Sequence, residues 1–326
     1  MTNKVSDLPV CRVLDAGARY GIHPTWLPIA GAVELHLVDA DPDEAMRLAD
    51  MYADTDTIHV MNLALSNEPG TLRFNRYRHY ACSSIYDPDL EWLQESAYKP
   101  DEMEVVGHFE VKADTVDHLF EGRPIHFMKL DVEGSEPNVL RGAHNQLADH
   151  VLGLRCEVGF TSPFARTGTF CEVMELASTH KFEMINMDYA GRGEPVSPYA
   201  LPERFGRIIA TDAVWIAPRH KLNIGNDIEV AHKHLFMALF LILNNATDIG
   251  VDLLLDARRS GTVTIGTLNT SPFGAALKRR VAKLFKEMKM YPFASSLNLE
   301  SVFETLFEDQ FPSMHKFNEE AFYRGA

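Results

Sequence analysis

The chain has 326 residues, 46% hydrophobic and 24% charged, enough to bury a sizeable core as one large domain or two. Its net charge of −15 argues against nucleic acid or an anionic membrane as the main partner, because both attract basic surfaces. The opening MTNKVSDLPV has no apolar core of a signal peptide, and the longest apolar run, Leu235–Leu243, is too short for a bilayer, so a cytoplasmic protein is expected.

In chain order, RVLDAGA (12–18) is a short apolar run ending in an acid and a glycine. Gly21 follows, and a helix is predicted from Pro24 through Ile29. The stretch DAGARYGIH therefore reads as strand, glycine turn and helix start, where glycines admit a ligand close to the backbone. VELHLVDADP (33–42) is a second strand closed by Asp39, about two dozen residues past Asp15. That separation suits a carboxylate accepting both hydroxyls of an adenosine ribose. A helix is predicted over 43–54, a strand over 57–66, a turn at 67–70 and a strand over 71–77.

Residues 78–104 break this rhythm and read as a long surface excursion, of the kind that forms lids or substrate walls. A strand at 105–112 precedes a helix at 115–120, for which Asp114 is the simplest N-cap. Farther on, a strand at 151–160 carries Glu157 near its carboxyl end. A helix at 170–180, a strand at 182–188, a Gly/Pro-rich loop through Pro202 and a strand at 208–218 follow, the last two strands as antiparallel neighbours. Such alternation predicts a parallel, doubly wound sheet. The cysteines Cys11, Cys82, Cys156 and Cys171 have no C-x-x-C spacing and read as reduced and structural.

From about Asn223 the texture becomes helical, with predicted helices at 227–243, 249–259, 279–288 and 298–309. The division expected is a catalytic domain over 1–220 and a helical appendage over 221–326 for packing, oligomerisation or substrate cover. His232 and His234 do not share a helix face, so they are expected to be solvated or capping rather than ligands.

The densest chemistry lies in PIHFMKLDVEGSEPNVLRGA (124–143). A buried strand runs into Lys129, Asp131, Glu133 and Glu136, with Gly134 between the last two, and a helix follows with Ser135 as its N-cap. Glu136 is covered by a helix start with solvated charges, whereas Asp131 and Glu133 sit at the strand end, where open α/β sheets bind ligands. While the strand persists, their spacing of two puts both on one face. The absence of a full G-x-G-x-x-G disfavours a dinucleotide, leaving a nucleoside without phosphates such as S-adenosylmethionine.

DAGARYGIH, the acid of LVDADP, NLALS, KADTVDHL and above all MKLDVEGSEPNVLRGA resemble the FkbM-type methyltransferases over roughly residues 12–218. The resemblance implies a class I, Rossmann-like fold with a seven-stranded, mostly parallel sheet. It implies S-adenosylmethionine as cofactor and in-line methylation of a hydroxyl on a sugar or natural product. By the same resemblance Asp15, Gly17, Ala18 and Gly21 line the methionine end, Asp39 holds the ribose, and Asn62 to Leu65, including Ala64, approach the adenine. Asp131 and Glu133 face the methyl group and the acceptor, Glu133 as base or orienting residue, and Lys129 is either catalytic or a counter-ion. Arg19 is a departure, since the family commonly has Asn there, and it alters contacts to the methionine carboxylate.

Two other readings stay open for the acceptor side, namely N-methylation of a peptide or amine and a non-catalytic binding module. The expected partner is a small-molecule or glycan acceptor, with self-association through the C-terminal helices. No metal is assigned, although Asp131, Glu133 and Glu157 are the oxygen ligands that Mg²⁺ prefers.

Overall fold

The computed structural model describes residues 8–95, 100–161, 163–165, 170–193, 207–288 and 299–307. Strands form where short apolar, β-branched runs are bounded by turn formers. They are β1 (Arg12–Ala16), β2 (Glu34–Asp39), β3 (Ile58–Asn62), β4 (Ala64–Leu65), β5 (Gly70–Tyr77), β6 (Val105–Asp114), β7 (Phe127–Leu130), β8 (Gly153–Gly159), β9 (Glu183–Gly193) and β10 (Arg207–Ile216). Seven join in the order β3-β2-β1-β7-β8-β10-β9. Within this sheet only β10 runs against its neighbours β8 and β9. This is the seven-stranded, mostly parallel α/β sheet expected. The order reverses direction between β1 and β7, and the crevice outside the carboxyl ends of those strands is the topological switch point.

Among the described residues, six α-helices accompany the strands of this part of the chain: α1 (Pro42–Met51), α2 (Leu90–Glu95), α3 (Val116–Leu119), α4 (Glu136–Arg141), α5 (His144–Asp149) and α6 (Phe170–Thr179). The core under the sheet gathers Leu14, Met128, Leu130 and Leu154 from the strands with Val139, Leu140 and Val173 from the helices.

Several elements differ from expectation for local reasons. The helix predicted from Pro24 is instead a 3₁₀ turn at Leu27–Ala32, with a proline at its start. The strand predicted over 57–66 splits at Leu63, after which β4 leaves the large sheet for a second one of order β4-β6-β5. Asp114 ends β6, and Thr115 is the cap of α3, its side chain accepting from the His118 N–H at 3.1 Å. The helix after Gly134 breaks at Gly142, where a β-carbon would lie 2.0 Å from the Ser66 carbonyl oxygen. Within the 78–104 excursion, α2 and two 3₁₀ turns pack a small core of Tyr77, Leu93, Met103 and Phe164, so it is folded rather than a bare loop.

The chain divides into two compact units. One is Val10–Ile224 with Leu243–Ala246 and carries both sheets; the other takes its described residues from Met1–Pro9, Gly225–Ile242 and Thr247–Ala326. The short return matters to the first unit, because Asn244 accepts from Arg155 at 3.2 Å and Asn245 donates to Asp188 at 3.3 Å. The helices here are α7 (Asp227–Leu243), α8 (Thr247–Arg259), α9 (Ile265–Thr270), α10 (Gly274–Met288) and α11 (Leu299–Phe307). Every residue of the run Leu235–Leu243 is buried within the single chain. Gly250 lets α8 approach α7 closely, since a β-carbon there would meet the Ala238 carbonyl oxygen at 2.9 Å. His232 is buried rather than solvated, and its Nδ1 donates to the Ile228 carbonyl at 2.7 Å. Among the described residues no helix is long and apolar enough to cross a membrane.

Candidate active site

A cleft of about 450 Å³ opens at the carboxyl ends of β1, β2 and β7. Of the positions named from the sequence for cofactor or catalysis, all but Ala18 and Asn62 lie on its wall. Ala18 is buried and turned into a small core with Leu37 and Leu48. Asn62 donates to the carbonyl oxygens of Asp39 and Ala40, each at 3.1 Å, so it braces the turn after β2 from outside the cleft.

The floor is built by the first strand and its glycine turn. Gly17 has φ +71°, and a β-carbon on it would lie 1.7 Å from the Asp131 carbonyl oxygen, so no other residue fits this crossing. Gly17→Ala is expected to cost a few kcal/mol through left-handed strain and overlap, lowering the melting temperature by roughly 10 °C. A circular-dichroism melt of that variant matching the wild type would contradict the tight crossing. The backbone N–H groups of Gly17 and Ala18 both donate to Val38, which ties the turn to β2.

Asp15 is fully buried on the cleft wall; its Oδ2 accepts from the His23 N–H at 3.2 Å, and its Oδ1 pairs with the Lys129 ammonium. Burial raises its pKa, against the pull of Lys129. Lys129 lies 3.5 Å from Asp15 and 3.4 Å from Asp131, and donates to the Gly17 carbonyl at 3.1 Å. Burial alone would disfavour its charge, but Asp131 and Asp15 outweigh that and hold its pKa above the ordinary lysine value.

At the end of β2, Asp39 is buried and accepts from the Asp41 N–H at 2.9 Å. Burial pushes its pKa up to about 6. Asp41, at the cap of α1, binds Arg19 and Arg76, each at 3.1 Å, and Arg19 stacks over the Tyr80 ring at 5.2 Å. Arg19 is thus committed to the acids after β2 and to the excursion. Sequence reasoning missed this chain of charges, although the second acid of LVDADP was its visible trace. The opposite wall is apolar: Leu63 precedes β4 and Leu65 ends it, and Leu72, Phe74 and Phe109 come from the same second sheet, the two phenyl rings stacked at 5.3 Å.

The acidic turn differs from the simple picture of a continued strand. β7 stops at Leu130, and Glu133 has φ +55°, an uncommon backbone for a residue with a side chain. The shared-face argument therefore fails, yet the turn itself brings carboxylate oxygens of Asp131, Glu133 and Glu157 within 4.8 Å of one another. Ser84, fully buried in the excursion, donates to the Glu133 carbonyl at 2.7 Å and pins the turn. Burial, with the repulsion of Asp131 and Glu136, raises the Glu133 pKa well above the carboxylate range. Burial likewise raises Glu157, with Asp131 and Glu133 adding to it. Glu136 is not the solvated charge expected: it is buried, accepts from the Val132 N–H at 2.7 Å, and burial lifts its pKa to about 7. Ser135 sits at the cap position without making a side-chain cap bond.

Strand order and cleft position define the class I methyltransferase fold, and the comparisons agree. The family model for the methyltransferase FkbM domain matches residues 15–189, more than half the chain. The chain belongs to the FkbM family of S-adenosylmethionine-dependent methyltransferases. No curated protein sequence matches it. Among solved structures, it is similar to magnesium protoporphyrin IX methyltransferase from Synechocystis PCC 6803 with bound SAM, at 9% identity and a TM-score of 0.31, over 65% of this chain and 73% of that one. A TehB-like SAM-dependent methyltransferase from Corynebacterium glutamicum gives 14% identity and a TM-score of 0.31, over 65% and 84%. Likenesses this slight carry no weight beside the strand order and the family match.

The residues present fit the cofactor of this class. The buried Asp15 carboxylate on the cleft wall suits an ammonium group beside Lys129, the buried Asp39 carboxylate suits a diol, and the Leu72, Phe74 and Phe109 wall suits a flat apolar base.

Proposed function

We propose that this methyltransferase acts on a hydroxyl of a sugar or natural product in a cytoplasmic setting, with Glu133 as the group that receives the hydroxyl proton. S-adenosylmethionine, when bound, supplies an electrophilic methyl group on a sulfonium. In this reading Asp15 and the turn through Gly17 and Gly21 hold the methionine end, Asp39 holds the ribose, and Ala64 and Leu65 lie along the adenine. Asp131 orients the reacting end. Lys129 acts as the counter-ion that keeps Asp15 and Asp131 apart and in place, since a lysine held charged does not serve as a base.

The observation that carries the proposal is Glu133: a carboxylate in a strained turn, on the cleft wall, with its pKa raised by burial and neighbouring acids. Once ionised, a group so raised takes up a proton from an acceptor more readily than an ordinary glutamate. The test is a transfer assay with a labelled methyl group and cell-extract fractions, followed by mass spectrometry of the product. A methyl ether on a hydroxylated product supports the reading; a methylated nitrogen overturns it in favour of a peptide or amine acceptor, and no transfer favours a binding module.

A second reading keeps the residues and changes the chemistry, with Asp131, Glu133 and Glu157 holding a divalent cation of the Mg²⁺ type through oxygen. Turnover abolished by a chelator and restored by Mg²⁺ would select it. For residues 221–326 we propose packing, self-association or substrate cover, with the run Leu235–Leu243 buried within the chain. Light scattering that gives a monodisperse monomer would remove self-association from this list.

A further inference from the structure

At the other end of the same sheet lies a cluster that the methyl-transfer chemistry does not use. Glu34 and His36 are separated by two on β2, and His59 is the direct cross-strand partner of His36 on β3, so the three side chains share one face. Asp39, at the cleft, is five residues beyond Glu34 along β2, roughly 16 Å at strand rise. The His36 Nε2 atom is 3.1 Å from Glu34 Oε1, and the His59 Nε2 atom is 3.6 Å from the same oxygen.

His36 is 3% exposed, and its Nε2 meets the Glu34 carboxylate with poor donor alignment. The two imidazoles stack with centroids 4.9 Å apart and planes 26° from parallel, which sends both rings in one direction. Phe120 packs its edge against His36 at 4.8 Å and closes the cluster on the inner side. The second oxygen of Glu34 is held by Arg12 at 2.9 Å, which fixes the carboxylate in place. His59 is exposed, leaving an open side toward water.

We propose that Glu34, His36 and His59 form a divalent transition-metal site, of the Zn²⁺ or Co²⁺ type, separate from the methyl-transfer cleft. Ligand bonds of about 2.0–2.1 Å place neighbouring donors about 2.9–3.4 Å apart around octahedral or tetrahedral ions. Of the two donor separations from Glu34, 3.1 Å lies within that range and 3.6 Å just above it, and all three donors lie within 4.8 Å of one another. Two imidazoles and one carboxylate suit Zn²⁺ and its neighbours, whereas Mg²⁺ prefers oxygen alone. Water completes the coordination on the His59 side. An ion here joins β2 to β3 at the edge of the sheet, so it stabilises the fold rather than taking part in transfer.

The experiment uses the full chain without a histidine tag, stripped with a chelator and titrated with Co²⁺ alone. One equivalent is expected to bind at micromolar protein, with a ligand-field absorption band and a melting temperature raised by several degrees. His59→Ala and Glu34→Gln should each weaken binding at least tenfold, while their metal-free melting temperatures stay within a degree or two of the metal-free wild type. No absorption band, or equal binding by His59→Ala, overturns the proposal. Should His59→Ala unfold, Glu34→Gln decides alone, with unchanged Co²⁺ affinity counting against the site.

Discussion

Glu133→Gln is expected to lower turnover by ~10²–10⁴-fold while leaving cofactor affinity and melting temperature close to the wild type. The glutamine keeps the size of the side chain and the φ +55° backbone, so the turn pinned by Ser84 need not move. What disappears is the ability to take a proton. Because burial and the Asp131 charge raise the Glu133 pKa, wild-type turnover should rise with pH as that carboxyl deprotonates, and the variant should lack that limb. Removing one charge from a crowded group of acids also relieves repulsion, so any shift in melting should be upward. Steady-state kinetics across pH, beside calorimetry for the cofactor, settle the matter. A variant with wild-type turnover, or one that loses cofactor binding and turnover together, would reassign Glu133 to holding the turn.

For Asp39→Asn, two measurements should move in opposite directions. If the buried carboxylate accepts a ribose hydroxyl, loss of one charge-assisted hydrogen bond of about 1.5–3 kcal/mol weakens S-adenosylmethionine by ~10–10²-fold. The cofactor-free protein, however, should become more stable at neutral pH. Asp39 has its pKa raised by burial to about 6, above the ordinary carboxylate value of about 4. The folded state therefore holds that proton more tightly than the unfolded chain. Its stabilisation is full below about pH 4 and is lost as pH rises through about 6. Asparagine cannot ionise and escapes that loss, which amounts to on the order of 2–3 kcal/mol at pH 8. The variant should then melt several degrees above the wild type at pH 8, with the gap closing toward pH 4. Equal melting curves at both pH values would show that Asp39 is already ionised at no cost, and unchanged calorimetric affinity would remove it from the cofactor site.

How far the residues could be read without coordinates depended on whether the governing contact was local. The glycine turn at 15–21, the acid at 39 and the acidic stretch at 129–136 are short-range patterns, and all three segments meet at the cleft, although the helix expected from Pro24 is a 3₁₀ turn and β7 stops short of the acids. Ala18 and Asn62 were placed on the wall by position in a motif alone, and side-chain direction within a tight turn is not a property of the motif. The splitting of 57–66 at Leu63 depends on pairing with β6, some fifty residues later, which no window over 57–66 contains. Glu136 looked solvated because an acid at a helix start usually is. Its burial follows from Val132 turning its N–H back onto the carboxylate, a contact made only once β7 has ended. The Arg19, Asp41 and Arg76 chain joins three segments, so only the folded chain brings it together.

The second sheet has an implication for how new specificities arise. Leu72, Phe74 and Phe109, with Tyr80 and Ser83 beyond them, reach the cleft from a layer that shares no strand with the layer bearing Asp15, Asp39 and Asp131. The chain crosses between the two layers at a single residue, Leu63, and re-enters through α3 and the segment leading into β7. Drift or laboratory recombination confined to residues 66–114 would redraw the pocket's outer wall while the cofactor-facing strand ends keep their register. Because the same layer offers the apolar face suited to the donor's base, chimeras exchanged at Leu63 and Asp114 would retune donor affinity and acceptor choice together, and both should be measured in such libraries.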